Sequence, residues 1–373
     1  MKKPTGLRTW VEIDAKAVSH NYKTFRSLIS PTTRLMAVVK SNAYGHDLFQ
    51  FARIVERLGT DWLGVDSITE ALALREVRIK TPILVLGYTL PEKFPEAIKN
   101  NVSLTISSFE SLDVLDTRCL TKIKPLPLKI HLKIDTGMHR QGFQKKEILK
   151  ALAMVKKLKN IEVEGIFSHF GQADNSKKTK KQLKKILEIL AVFEKEGIKP
   201  IRHISATGGT LASKENHLDM VRVGIGLYGV YPSDSFEKKL SKKIKPRPVL
   251  SWKAIVGEVK TVSAGECVGY DFTKKLTRKT RLAIIPIGYW HGYPRALSNK
   301  GFVFVRGKKA LVLGRVSMDM LTVDVTDIPR VKIGDEVELI GKNVSAKQLA
   351  KLSHTSPYEI ITRLNPLMRR VYV

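Results

Sequence analysis

Cysteine is nearly missing: of 373 residues only Cys119 and Cys267 carry thiols, 148 positions apart. A disulfide framework is excluded, and both are read as small buried or rim side chains. Long apolar runs are missing too. Stretches such as TPILVLGYTL at 81–90 reach about half the roughly 20 residues that cross a bilayer, so no integral membrane protein is expected. The basic opening MKKPTGLRTWVEID lacks the apolar core of a secretory signal, and a reducing cytoplasm is the expected setting. There is no low-complexity tract, and a composition of 43% hydrophobic and 27% charged residues excludes disordered, collagenous and coiled-coil chains. His46, His131, His203 and His217 show no metal-ligand spacing, and no metal is expected.

Acidic residues are scarce, 35 against 65 Lys and Arg, which leaves a net charge of +30. That sign suits a nucleic-acid binder, but its distribution does not. Residues 1–242 hold 41 basic and 25 acidic side chains and residues 243–373 hold 24 and 10, so no single module carries the excess. The densest run, KKTKKQLKK at 177–185, leads into the apolar periodicity of ILEILAVF and reads as the solvated face of a helix. Neither this run nor the one at 238–245 has the interleaved aromatics on which bases stack. A lysine-rich surface is preferred over a nucleic-acid role, with steering of an anionic ligand as the remaining reading.

The length allows two domains. Eight short β-branched runs alternate with amphipathic stretches: LMAVV ends at Val39, WLGV at Val65, ILVL at Leu86, SLTI at Ile106, KIHLKI at Ile134, VEGIF at Phe167, IRHIS at Ser205 and MVRV at Val223. Helical patterns between them include Asp47 to Leu58, Ile68 to Val77, Lys145 to Leu158 and Lys177 to Glu196. Eight βα repeats predict a TIM barrel, an α/β fold with its chemistry on the loops after the strands. After the lysine-rich KKLSKKIKPRPV the runs crowd together with Gly and Asp turns. The expected division is a barrel over 1–242 and a mainly-β domain over 243–373, with one late helix around Ala346 to Leu352.

The strand ends carry the chemistry. AVVKSNAYGHD places Lys40 just past the first strand, with Tyr44 four residues on. A desolvated lysine forms Schiff bases with carbonyl cofactors, and an ion-paired lysine on the rim is the equal alternative. Strand five runs into Lys133, Asp135 and Arg140, strand six into His169, strand seven into Thr207 before two glycines, and strand eight bears Arg222 with Gly224 and Ile225 after it. Small residues after strands seven and eight are where barrels commonly bind phosphate. A lysine for an imine, a phosphate cradle and a strand arginine together point to pyridoxal 5'-phosphate.

The motifs AVVKSNAYGHD, KIDTGMHRQGF, VRVGIGLYG, VGYDFT, IGYWHGYPR and GRVSMDM resemble, in order and spacing, those of the alanine racemase family, over nearly the whole chain. The resemblance implies a pyridoxal phosphate-dependent isomerase of fold type III that interconverts L- and D-alanine for peptidoglycan. It also implies a homodimer with shared active sites. By that resemblance Lys40 holds the cofactor and serves as the base for the D-isomer, while Tyr270 of the partner subunit serves the L-isomer. Arg222 is similar to the arginine on the pyridine nitrogen, and His169 to its support. Tyr44, Thr207, Gly224, Ile225 and Tyr358 fall at phosphate positions. Arg140 and Met318 match substrate-side positions, Asp319 follows in the same stretch, and Lys133 stands where a carbamylated lysine occurs.

Four positions depart from the pattern: Ala206 replaces the asparagine of Asn-Ser, Asp271 follows Tyr270 where glycine is frequent, and Trp290 and His291 replace a small residue and an acid. Trp290 and His291 are read as packing or interface residues. Plain readings stand beside several assignments, with His169 as a core histidine and Lys133 as a rim lysine. Other functions are a racemase for serine or several amino acids, an amino-acid decarboxylase on the same barrel, and a cofactor-carrying regulatory protein. A decarboxylase is expected to set a carboxylate, not Arg222, against the pyridine nitrogen. A regulatory protein of this kind is expected to lack the β domain.

Overall fold

Burial on both faces sorts the strands of the first half from those of the second. The computed structural model describes residues 5–116, 127–158 and 160–373, so Cys119 lies outside the described residues. Nine strands precede residue 224: β1 (Thr9–Ile13), β2 (Arg34–Val38), β3 (Trp62–Val65), β4 (Ile83–Val85), β5 (Val102–Ile106), β6 (Leu128–Lys133), β7 (Ile161–Phe167), β8 (Ile201–His203) and β9 (Met220–Val223). Strands β3, β4, β5 and β9 are buried at every position, as parallel strands covered by helices should be.

Strands β2 to β9 form one parallel sheet in the order β8-β7-β6-β5-β4-β3-β2-β9. Its two ends meet through a bridge between Ala206 and Arg222 and a bond from the Asp219 N–H to the Arg202 carbonyl at 3.0 Å. The eight predicted runs are therefore the eight strands of a TIM-type barrel. The helix Leu48–Arg57 buries Leu48, Phe51, Ala52 and Val55, the one-face spacing of an amphipathic helix. The helix Ser176–Lys195 buries Leu183, Ile186, Ile189, Leu190 and Phe193, while Lys177, Lys178, Lys180, Lys181 and Lys184 face solvent.

The chain forms two compact units, one of Val18–Ala43 with Leu48–Arg247, the other of Met1–Ala17, Tyr44–Asp47 and Pro248–Val373. The second unit holds a nine-stranded sheet in the order Glu258–Val262, Thr280–Ile285, Leu321–Asp324, Lys308–Leu313, Phe302–Val305, Glu336–Ile340, Leu250–Ile255, β1 and Arg370–Tyr372. A division at 242/243 assigns residues 1–17 to the barrel, whereas β1 pairs antiparallel with Leu250–Ile255 and parallel with Arg370–Tyr372. Its Trp10 is fully buried, as is Trp252 on the paired strand. The expected helix Ala346–Leu352 is present. A second, Pro357–Thr362, follows it, with Ser356 accepting from the Tyr358 N–H and Pro at the first turn, a start signal readable in SPYE.

Candidate active site

Lys40 opens a turn of unusual hand. Over Lys40–Gly45 the residues Ser41, Asn42, Ala43 and Tyr44 all have φ between 50° and 55°, a left-handed helical turn that costs non-glycine residues about 1–2 kcal/mol each. Specific bonds hold it. The Ala43 N–H donates to the Val39 carbonyl at 2.8 Å, the Asn42 N–H to Glu70 Oε1 at 3.2 Å, and Asn42 Oδ1 accepts from the Leu48 N–H at 2.9 Å. Glu70 reaches the Asp66 N–H with its other oxygen at 2.9 Å. Asp66 in turn pairs with the Lys40 ammonium at 2.7 Å, with 36% of the lysine side chain exposed. Lys40 is thus ion-paired at the strand end, on a turn whose backbone strain is of the kind that clusters at functional sites.

Arg222 lies on the adjacent strand β9, 3% exposed. Its Nη1 donates to His203 Nδ1 at 2.8 Å, and its Nη2 to the carbonyls of Ser168 at 2.8 Å and Ile204 at 3.1 Å and to His169 Nδ1 at 3.3 Å. A guanidinium has five N–H donors and no acceptor, so these bonds leave Nε–H and one Nη1–H for a ligand. Burial, with the nearby Arg140 charge adding, brings its pKa down to about 9, which keeps it cationic at neutral pH. Burial first, then the charges of Arg222, Lys133, Arg140 and Lys40, holds His169 well below the ordinary histidine value, so it accepts from Arg222 as a neutral ring. Lys133 sits 4.1 Å over the Phe167 ring. Burial and the charges of Arg222 and Arg140 push its pKa well below that of a free lysine, unlike an ordinary rim lysine. Arg140 is exposed, on a loop gathered by Asp135, whose Oδ1 accepts from the N–H groups of Gly137, Met138 and His139.

The ends of β8 and β9 form a tight corner. Thr207 Oγ1 accepts from the N–H groups of Gly224 at 3.1 Å and Gly226 at 3.3 Å, which leaves its hydroxyl hydrogen to donate. A Cβ at Gly226 would stand 2.3 Å from Phe25 Cζ and 2.8 Å from Thr207 Cγ2, so only glycine lets the two segments close. Ala206 precedes the helical turn Thr207–Ala212 and offers no side-chain cap, so the first N–H groups lack the acceptor that asparagine would supply. Ile225 is buried beside them. An anion holder, a lysine at a strand end and a buried arginine with spare donors fit the phosphate, aldehyde and ring nitrogen of pyridoxal phosphate in kind.

The remaining candidates belong to the second unit. Tyr44 and Tyr358 place their ring centroids 6.2 Å apart, and burial raises the Tyr358 pKa, which keeps its phenol a donor. Tyr270 is 70% exposed on a turn where Asp271 and Phe272 have φ of 57° and 49°. The left-handed φ accounts for a glycine preference at 271, and Asp271 is held there by an ion pair with Arg315 at 2.7 Å. Trp290 and Met318 are 58% and 55% exposed, and the Trp290 N–H donates to the Met318 carbonyl at 3.0 Å. His291 is buried and takes the Gly288 N–H on Nδ1 at 3.2 Å, with the exposed Asp319 at 4.0 Å. Cys267 is exposed. Among the described residues no group of His, Cys, Asp or Glu is arranged to hold a metal.

Sequence reasoning missed Asp66 and Glu70, which secure Lys40 and its turn, and Glu164, His131 and His203 behind Arg222. Only GVDSITEA after the second barrel strand, acidic residues at a strand end, signalled the first pair.

Comparison with known proteins agrees with this geometry. The family described as "Alanine racemase, N-terminal domain" matches residues 13–232, and "Alanine racemase, C-terminal domain" matches residues 249–372. Alanine racemase of Desulforamulus reducens is 37% identical over 378 residues, covering 100% of both chains. The structure of alanine racemase from Clostridium difficile superposes with a TM-score of 0.92 at 33% identity, covering 100% of this chain and 97% of that one. Alanine racemase from Bartonella henselae, with covalently bound pyridoxal phosphate, superposes with a TM-score of 0.88 at 30% identity, covering 98% of this chain and 100% of that one.

Proposed function

Since the chain belongs to the alanine racemase family of pyridoxal phosphate-dependent isomerases, we propose that it interconverts L- and D-alanine by two bases and supplies D-alanine for peptidoglycan. It acts in the cytoplasm as a homodimer. The observation that carries this reading is Arg222, a buried cation with two spare donors one strand away from Lys40.

Lys40 Nζ, paired with Asp66, would be the amine that holds the cofactor through its aldehyde, with water released, until substrate amine takes its place. Thr207, Gly224, Ile225, Tyr44 and Tyr358 would hold the phosphate, Arg222 the ring nitrogen, and Arg140 with the Met318 backbone the substrate carboxylate, with Asp319 in the same stretch. When bound, pyridoxal phosphate supplies the electron sink that acidifies the substrate α-hydrogen. The Arg222 guanidinium stays protonated at neutral pH, so it would hydrogen-bond the ring nitrogen without handing it a proton, which would limit the electron withdrawal that leads to transamination. Lys40 Nζ would take the α-proton as amine or give one as ammonium on one face, and Tyr270 of the partner subunit would give one as phenol or take one as phenolate on the other. A proton given back by the group that removed it restores the starting enantiomer, so inversion would require the second group on the far face. Burial and the charges of Arg222 and Arg140 lower the Lys133 pKa, which favours the free amine that adds to carbon dioxide; addition would give a carbamate with loss of one proton, and its negative charge would lie within the field of Arg140.

Borohydride treatment of the yellow holoenzyme tests the reading: cofactor fixed on the Lys40 peptide is expected, and label on another lysine contradicts it. Chiral chromatography of the products separates an alanine racemase from one that also turns over serine.

A further inference from the structure

Behind Arg222 a chain of side chains runs inward to a carboxylate. His203 Nε2 lies 2.9 Å from His131 Nδ1, His131 Nε2 lies 3.3 Å from Glu164 Oε2, and the Ser103 hydroxyl donates to the same carboxylate oxygen. Both histidines are fully buried. Their rings cannot turn freely: His203 stacks on Phe167 at 4.7 Å and 1°, and Trp62 meets His131 edge-on at 5.4 Å. A Cβ at Gly165 would stand 2.2 Å from His131 Nδ1, so the imidazole lies against bare backbone.

Glu164 owes its place to an irregularity. In the β6–β7 register Ile130 pairs with Val163 but His131 pairs with Gly165, so Glu164 is the extra residue of a β-bulge, a device that re-aims a side chain. Lys129 Nζ approaches its other oxygen at 3.7 Å.

Valence alone sets the direction of every bond. Arg222 can only donate, so His203 Nδ1 is a lone pair and its hydrogen is on Nε2. That hydrogen points at His131 Nδ1, which must also be a lone pair, so the His131 hydrogen is on Nε2 and is donated to Glu164. A second proton on either ring would set two N–H groups face to face. We propose that Glu164 and His131 are positioning residues for Arg222: the bulged carboxylate anchors a one-way relay, Arg222 to His203 to His131 to Glu164, that fixes the guanidinium in the orientation leaving Nε–H and one Nη1–H for the cofactor. This rests on the functional reading of Arg222 given above. Burial lowers the pKa of both rings; for Glu164 burial is the largest influence and would raise it, but the bonds from His131 and Ser103 together with nearby positive charge, including Lys129, leave it lowered.

The test uses holoenzyme labelled with ¹⁵N-histidine, and the variants Glu164→Gln and Glu164→Leu. Side-chain NMR of the wild type is expected to show His131 and His203 neutral and protonated on Nε2, unchanged from about pH 5.5 to 8.5. Gln keeps an oxygen for His131, so kcat stays within about threefold. Leu removes the acceptor, and kcat falls about 10- to 100-fold, the loss typical of an outer partner that orients a ligand, with KM for alanine within about twofold and the His131 signals moved. A wild-type ring protonated on Nδ1 or charged, a cofactor-loaded Leu variant with unchanged kcat, or a Gln variant as impaired as the Leu variant each overturns the relay. If the Leu variant does not accumulate as holoenzyme, the wild-type tautomers decide. Borohydride label away from Lys40 would remove the functional reading while leaving the tautomer result intact.

Discussion

Arg222 and Tyr270, one proposed for the cofactor and one for proton transfer, are held in opposite ways. Arg222 is 3% exposed and bonded to four acceptors of its own unit. Tyr270 is 70% exposed, on a turn that shares its unit with the exposed Phe272, Trp290, Met318 and Met320. Burial with several bonds to its own unit fixes a side chain before any ligand arrives, whereas an exposed aromatic set acquires its order from whatever covers it. The barrel half of the site is therefore organised by its own chain, and the β-rich half is proposed to be organised by a second one.

The largest effects fall on the proton-transfer pair. Lys40→Ala is expected to abolish racemisation and the yellow colour together. Tyr270→Phe should cost the roughly 10²- to 10⁴-fold typical of an acid–base group but keep deuterium exchange from solvent into D-alanine, because Lys40 remains. Equal loss of exchange from both enantiomers, with cofactor bound, would show that the two bases do not divide the faces.

Stability should separate the two regions next. Arg222→Met strands the acceptors His203, Ser168 and Ile204 and should destabilise the chain by about 3 kcal/mol in denaturant titration. Tyr270→Phe should stay within about 0.5 kcal/mol, as exposed substitutions do. Similar losses from both would erase the contrast.

Acid acts on the barrel in a defined direction. His131, His169 and His203 are all depressed, chiefly by burial, so the unfolded chain binds protons that the folded chain refuses. Their contribution is complete above the unfolded histidine value of about 6.5 and is lost as pH falls below it. Tm should decline from pH 7 toward 5 on that account, and His169→Asn should flatten the slope. The same slope in the variant would remove His169 from the set.

The smallest effect is expected at Asp271→Gly. Relief of a left-handed φ, worth about 1 kcal/mol, opposes loss of an exposed ion pair worth about 0–1 kcal/mol and the added freedom of the unfolded glycine. A net change beyond about 1 kcal/mol would mean that the Arg315 contact does more than hold the turn.

The barrel was legible because its strands announce themselves: the predicted runs end at Val39, Val65 and Phe167, and the observed strands end at Val38, Val65 and Phe167. Lys40, His169, Thr207 and Arg222 were legible as strand-end polar residues. The strand at TWVEI and its place in the β-rich sheet were not foreseen, since alternation over five residues says nothing of the partner that buries Trp10. The left-handed turn of SNAYG was hidden, because only one of its five residues is glycine and the bonds that hold it come from Glu70 and Val39. Glu164 was hidden for a similar reason. VEGIF reads as a strand with one polar interruption, and only the register with β6 reveals the bulge that makes Glu164 a partner of His131.

Subunit mixing tests the division of the site between two chains most directly. Lys40→Ala and Tyr270→Phe proteins, the first inactive and the second at about 1% of wild type or less, are exchanged after partial dissociation, and mixed dimers are verified by mass. One intact composite site per mixed dimer predicts recovery of about a quarter of wild-type activity in an equimolar mixture of a two-fold symmetric enzyme. Verified mixed dimers with no activity above the parents, or full activity in a demonstrated monomer, would contradict it.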